Sequence, residues 1–174
     1  MSGQDDVLVR VRLMATADVA SVAAAFAAQG WYKPQEQYMR YLEESDQGQR
    51  VVLLAERGGE FAGYVTVVWE SDYPPFLAAG IPEIVDFNVL IKFQRQGVGT
   101  ALLDEAERRI AEHSEVAGIG VGLTADYGAA QVLYVRRGYI PDGRGMAQAG
   151  RAVRHGEQVT VDDDLAVYFT KRFS

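Results

Sequence analysis

Apolar and polar positions change period several times along the 174-residue chain. VLVRVRLM (Val7–Met14) alternates apolar and charged residues, which predicts a half-buried strand. Thr16 is placed to cap the alanine-rich ADVASVAAAFAAQG, a predicted helix ending at Gly30. QEQYMRYLEES predicts a short second helix. RVVLLAERGGEFAGYVTVVWE reads as two strands about the turn RGGE, an antiparallel hairpin. SDYPPFLAAGIP, with Pro74, Pro75 and Pro82, reads as a loop, and EIVDFNVLI as the next strand. GTALLDEAERRIAEH carries Leu102, Leu103, Ala106 and Ile110 at helical spacing, with charges on the opposite face. VAGIGVGLTA predicts a strand and GAAQVLYVRRGY a short helix ending near Gly138. PDGRGMAQAGRAVRHGEQ is polar and glycine-rich, and LAVYFTKRF closes the chain as a strand.

Helices flanking the later strands imply a parallel pair at the middle of a mixed sheet. The expected class is α/β (α+β) in three layers, with about six or seven strands and about four helices. No repeat or linker interrupts the chain. One domain over residues 1–174 is expected, with 1–6 a flexible N-terminus.

Composition narrows the chemistry. Hydrophobic residues make up 48% and charged residues 24%, enough apolar material for a sizeable core. There is no cysteine, which excludes disulfides, thiolate metal sites and a cysteine nucleophile. His113 and His155 are the two histidines, too few for a His-rich metal cluster, so no metal is expected. The net charge of -7 argues against nucleic acid as a partner and favours cations, protonated amines among them. The start MSGQDDVLVRVR has no apolar run of signal-peptide length, and no window is long enough for a membrane span. A soluble cytoplasmic protein, without a membrane partner, is expected.

One junction stands out. In VDFNVLIKFQRQGVGTALLDEAERR an apolar run ends in a basic turn, and a helix starts at once on Gly97 and Gly99. A helix N-terminus exposes unpaired N–H groups and the positive end of its dipole, where phosphate binds readily. A Cβ at Gly97 or Gly99 would hold phosphate oxygens away, and Gln94, Arg95 and Gln96 add side-chain donors. A solvated turn explains the glycines equally well from this stretch alone. No Gly-Lys-Ser/Thr follows, so it is not a P-loop; Leu102 holds the third glycine position of a dinucleotide fingerprint.

Read whole, QRQGVGTALL resembles the Gln/Arg-x-x-Gly-x-Gly/Ala motif of the GNAT superfamily of acyl-CoA-dependent N-acyltransferases. Downstream, AAQVLYVRRGY resembles that family's Ala-x-x-x-Tyr-x-x-x-Gly-Phe segment, with Ala130, Tyr134, Gly138 and Tyr139 in its places. The order of elements fits from Val7 to Phe173. Tyr127 stands where the family often has Asn. The resemblance implies a GNAT fold with a splayed parallel pair, and acetyl-CoA as co-substrate. Its pyrophosphate would lie on Gln94, Arg95, Gln96, Gly97, Val98, Gly99 and Thr100. Its pantetheine arm would pair with Phe87, Asn88, Val89 and Leu90, and Ala130 and Tyr134 would also meet the cofactor. The N–H of Val89 or Leu90 would polarise the thioester carbonyl. Gly118, Gly120 and Gly122 share one face of their strand at period two, leaving it bare for the cofactor arm or for a tightly packed helix.

Acyl transfer needs a base for the ammonium proton and an acid for the leaving thiolate. By its place in the motif Tyr134 is the expected acid, although a helix Tyr also fills cores. Glu83 opens the central strand and resembles in placement the Glu that activates the amine in the histone-acetylating branch. Burial would raise its pKa, unless it is a solvated strand end or the partner of an Arg. Asp86 is the second candidate, on the opposite face by strand alternation. His113 reads as solvated on the polar back of a helix, and His155 lies in a polar loop. The acceptor is expected between the two N-terminal helices, the proline-containing loop and the glycine-rich segment. Trp31, Tyr32, Tyr38, Trp69, Tyr73 and Phe76 offer aromatic faces there, usable for a cation, a core or a dimer contact. The expected activity is acetyl transfer to a primary amine, small-molecule rather than peptide, by a monomer or homodimer. A non-catalytic acyl-CoA-binding module is the rival.

Overall fold

The computed structural model describes residues 8–174. The expected flexible segment 1–6, and Val7 of the first strand, lie outside the described residues. The chain divides into two compact units: residues to Val67 with Asp86–Arg108, and Val68–Val85 with Arg109–Ser174.

The first unit holds β1 (Val9–Leu13), α1 (Val19–Ala28), α2 (Gln35–Asp46), β2 (Arg50–Arg57) and β3 (Glu60–Val68). It also takes the second half of β4 (Glu83–Val89) and most of α4 (Val98–Ala111). β1 pairs antiparallel with β2, Val9 opposite Arg57 through Leu13 opposite Leu53. α1 turns Val19, Val22 and Phe26 inward, one face of a helix. α2 turns in Tyr38 and Tyr41. With Val52, Leu54, Tyr64 and Leu90 these form one buried cluster. Tyr64 meets Phe26 and Tyr38 edge-on, at ring-centroid separations of 5.7 and 5.3 Å. Thr16 does not cap α1. It opens a short 3-10 turn, and the Asp18 carboxylate takes the Ala15 N–H (2.8 Å) and the Arg12 guanidinium (2.7 Å).

The second unit holds α3 (Pro74–Ala79), the start of β4, β5 (Val116–Gly122), α5 (Gly128–Arg136), β6 (Ile140–Gln148), β7 (Arg151–Ala152) and β8 (Leu165–Arg172). α3 corrects the loop expected for SDYPPFLAAGIP. Pro74 and Pro75 stand in its first turn, where a missing N–H costs no hydrogen bond, and Gly80 ends it at φ 63°. The polar, glycine-rich segment contributes β6 and β7. β6 pairs with β8 on both sides of a register shift between Pro141 and Met146.

The strand order is β1-β2-β3-β4-β5-β8-β6-β7, with eight strands and five α-helices among the described residues. β4 and β5 are the expected parallel pair, in register at Glu83 opposite Gly118 and Ile84 opposite Ile119. The predicted stripe of α4 is realised in full: Leu102, Leu103, Ala106 and Ile110 are completely buried. No helix among the described residues is long and apolar enough to cross a membrane.

Candidate active site

The turn into α4 is built from backbone geometry. Arg95 and Gly97 both have left-handed φ, 58° and 82°. Such a φ is rare for a non-glycine residue and clusters at ligand sites. The first intrahelical bond runs from the Ala101 N–H to the Gly97 carbonyl at 3.0 Å. Helix geometry therefore leaves the N–H groups of Val98, Gly99 and Thr100 without an intrahelical partner. Val98 is buried and anchors this end of the helix. The two glycines serve different needs. At Gly97 a Cβ would meet nothing within 4 Å, so the requirement there is the positive φ. At Gly99 a Cβ would stand 3.0 Å from the ring tip of Phe87. The amides of Gln94 and Gln96 are turned onto the turn itself. They donate to the carbonyls of Val89 (3.3 Å) and Lys92 (2.8 Å), so they brace the backbone as well as offering a second N–H each.

Leu90 corrects one expectation. Its N–H donates to the Ala62 carbonyl at 2.9 Å and is not free to polarise a thioester. Successive N–H groups of an extended strand point to opposite sides, so the Val89 N–H is directed away from β3.

Asp86 also departs from its expectation. Its φ is 51°, a left-handed residue inside β4, so alternation cannot be counted through it. The argument that placed it opposite Glu83 therefore fails. Five donors converge on its carboxylate. Oδ2 accepts from Tyr64 (2.5 Å), Gln37 (2.9 Å) and Tyr41 (3.0 Å). Oδ1 accepts from Asn88 (2.7 Å) and Lys33 (3.3 Å). Burial, with the Asp86 charge behind it, pushes the Tyr64 hydroxyl far up and that of Tyr41 to about 12, so both remain donors at neutral pH. Asn88, expected at the pantetheine, spends one amide hydrogen here.

Glu83 lies in the other unit and is only 7% exposed. The Ser71 hydroxyl donates to its Oε2, and the Tyr73 N–H donates to the Ser71 Oγ at 3.0 Å. Burial pushes the carboxyl up to about 7; the Ser71 bond opposes the rise, and Asp72 adds to it. Its register partner Gly118 is bare because Phe76 covers it: a Cβ there would stand 2.3 Å from the ring. Tyr168 covers Gly120 and Tyr127 covers Gly122 in the same way. The glycine face of β5 is thus filled by three aromatic rings, the first on a helix. Tyr168 stacks on Tyr73 at 3.6 Å, and burial with the charge of Glu83 pushes its hydroxyl to about 12.

Tyr134 sits in α5 and is 5% exposed. Burial first, then Tyr127, drives its hydroxyl well above the usual phenol range, so it is protonated and able to donate. The Tyr139 N–H returns to the Tyr134 carbonyl at 3.0 Å, closing the helix end around Gly138. Ala130 is half-buried one turn earlier. Tyr127, at the family's frequent Asn position, turns its hydroxyl onto Asp163 at 2.8 Å. Its ring fits because residue 122 lacks a Cβ.

The aromatic residues separate by burial. Tyr38, Tyr73 and Phe76 are core. Trp31 stacks on Phe26 at 6.0 Å, and Tyr32 is 87% exposed. Trp69 packs edge-on against His113 at 5.0 Å, so that histidine, just beyond α4, has a partner. His155 lines a surface depression with Arg151, Arg154 and Glu157.

A model of the acetyltransferase (GNAT) family matches residues 19–139. The chain belongs to this family. It is thus an acetyl-CoA-dependent N-acetyltransferase. No curated protein matches the chain. Among solved structures, a ribosomal-protein-alanine N-acetyltransferase from Brucella melitensis is 20% identical, with TM-score 0.68 over 94% of this chain and 99% of that one. A Salmonella typhimurium acetyl transferase that modifies the N-terminal serine of a 50S ribosomal subunit protein is 13% identical, with TM-score 0.69 over 95% of each chain. The Salmonella typhimurium protein yncA, solved with its cofactor acetyl-CoA, is 16% identical, with TM-score 0.65 over 95% of this chain and 94% of that one. At these identities the likeness establishes the fold.

Proposed function

We propose that this acetyltransferase moves the acetyl group of acetyl-CoA to a primary amine of a small molecule, by direct attack in a ternary complex. The supporting observation is a pair of groups tuned to opposite tasks. Glu83 is held at about 7, the value of a base at neutral pH, and Tyr134 is held protonated. Glu83 removes the ammonium proton, the neutral amine attacks the thioester carbonyl, and Tyr134 protonates the departing thiolate. Residues Gln94–Thr100 take the pyrophosphate on the N–H groups at the mouth of α4. Phe87, Asn88 and Val89 run beside the pantetheine, with the Val89 N–H aimed at the carbonyl. Ala130 lines the cofactor beside Tyr134. The fit is that of an anion on an open helix mouth, with a bare Gly99 behind it.

The test is a panel of primary amines with free-thiol detection. Peptides with N-terminal Ala or Ser belong in it, because the Brucella and Salmonella enzymes act on ribosomal proteins. Turnover of a small amine above all peptides supports the reading, and a peptide preference moves the acceptor to protein. Acetyl-CoA binding with no turnover on any member leaves a binding module.

Gly99→Val is expected to stay folded, because the atom it meets is the tip of the Phe87 ring. It should weaken acetyl-CoA binding by roughly tenfold or more, about 1.4 kcal/mol. Unchanged affinity in calorimetry removes the cradle assignment.

A further inference from the structure

The Asp86 cluster has a feature the acetyl-transfer chemistry does not use. Four of its five donors come from β3, β4 and α2, elements fixed by their own hydrogen bonds. The fifth is the ammonium of Lys33, in the irregular segment between α1 and α2. Oδ2 has three donors, more than its two lone pairs. Oδ1 has Asn88 at 2.7 Å, which leaves one lone pair, and Lys33 takes it by the longest of the five bonds, 3.3 Å. The same ammonium lies 5.6 Å from the ring centroids of both Phe26 and Tyr64. It also donates to the Tyr64 hydroxyl at 3.2 Å, so Tyr64 meets it at the hydroxyl edge and Phe26 supplies the ring face. A carboxylate, a hydroxyl and an aromatic face together are the chemistry that holds an alkylammonium. Phe26 and Tyr64 are completely buried, so these walls do not depend on Lys33 for their position. Lys33 itself is tethered by a segment carrying the exposed Trp31 and Tyr32.

The geometry points to a primary-ammonium subsite made by Asp86, Phe26 and Tyr64, in which Lys33 is a resident occupant displaced by the acceptor amine. Displacement by the acceptor rests on the acetyl-transfer reading above; occupancy of the cage by an ammonium does not. Asp86 is then an amine anchor: its other four donors hold the carboxylate in place and leave Oδ1 one lone pair for the ammonium. Self-occupancy also makes the site selective. A neutral or bulky group cannot repay the loss of the Lys33 pair, whereas an unbranched primary ammonium replaces it group for group.

The experiment uses n-butylammonium, which is the lysine side chain without its backbone. Lys33→Ala empties the cage. n-Butylammonium at about ten times its dissociation constant should then raise the melting temperature by about 3–6 °C, with sodium at equal ionic strength giving no rise. Wild type, its cage filled, should show no such rise. Adding Asp86→Asn to Lys33→Ala should abolish the response. A Lys33→Ala protein that responds no more than wild type, or a double variant that still responds, overturns the subsite. Lys33→Met keeps the stem and folds if the alanine variant does not. In turnover assays it should lower KM for n-butylammonium several-fold or more, because wild type binds the amine only in the fraction of molecules whose cage Lys33 has left. An unchanged KM overturns displacement by the acceptor. The melting experiment needs no turnover, so absence of acetyl transfer does not disguise its result.

Discussion

Tyr134→Phe is expected to turn over its best amine ~10²–10⁴-fold more slowly than the parent, the usual worth of a general acid. The variant deletes one oxygen from a side chain that is 5% exposed and leaves the ring in place. Its hydroxyl is protonated throughout the neutral range, because burial and then Tyr127 disfavour the phenolate. It can therefore give a proton to a thiolate leaving group but cannot serve as a base. Proton donation matters in the transition state and little in the ground state. The loss should thus fall on kcat, with acetyl-CoA affinity nearly kept. Tyr139, whose ring lies 6.1 Å away, supplies the control. Tyr139→Phe removes the same oxygen from the same region and should keep kcat within a few-fold. Wild-type turnover in Tyr134→Phe assigns Tyr134 to packing, and an equal loss in both variants assigns the effect to the helix end.

What the chain discloses before its structure is seen follows from the range of the forces involved. The stripe of α4 was legible because i, i+3 and i+4 spacing is local, and all four residues are buried as their spacing requires. Glu83 was legible as the residue opening an apolar strand, but a buried carboxyl and a solvated strand end both stayed open. Only the packing of Ser71 and its neighbours decides for burial. The glycines of β5 were legible as bare positions. The rings that fill them were not, since Phe76, Tyr127 and Tyr168 are brought there by tertiary packing. α3 was missed because two prolines and a nearby third signal a loop, whereas in a first turn they cost nothing. β6 was missed because Gly143, Gly145 and a register shift erase the period of two.

Asp86 shows the limit most sharply. Alternation assumes extended backbone at every step, and a left-handed φ at the residue itself breaks it. Gln37 and Tyr41 share one face of α2 at i, i+4, but nothing local joins them to Tyr64 and Asn88 on two strands, so only the folded chain assembles the donors. The departure falls at the residue on which the proposed ammonium subsite is built, and functional sites are where local rules are expected to fail.

Glu83→Gln tests the base and carries two expected signatures. Wild-type kcat/KM should rise with pH through about 7, the value at which burial holds the carboxyl, because only the carboxylate accepts a proton. The variant keeps the size and can still accept from Ser71, but has no basicity. It should be ~10²–10⁴-fold slower near neutrality. It should recover at alkaline pH, where the amine loses its proton unaided. The second signature is stability. The folded carboxyl is raised from 4.5 to about 7, so between these values the native state binds more protons than the unfolded chain. Wild-type stability therefore falls as pH rises through that window, by at most about 3 kcal/mol, and the penalty is complete above 7. Glu83→Gln lacks this slope and should melt above wild type at pH 8. Asp86→Asn should leave the limb near 7 in place while raising KM for the amine. If Asp86→Asn loses the limb and Glu83→Gln keeps it, the two carboxylates exchange roles. If both keep it, the proton leaves through water. A Glu83→Gln protein that loses the limb but melts below wild type at pH 8 separates the two claims: Glu83 is the base, and its carboxylate is stabilised by its surroundings, not merely tolerated.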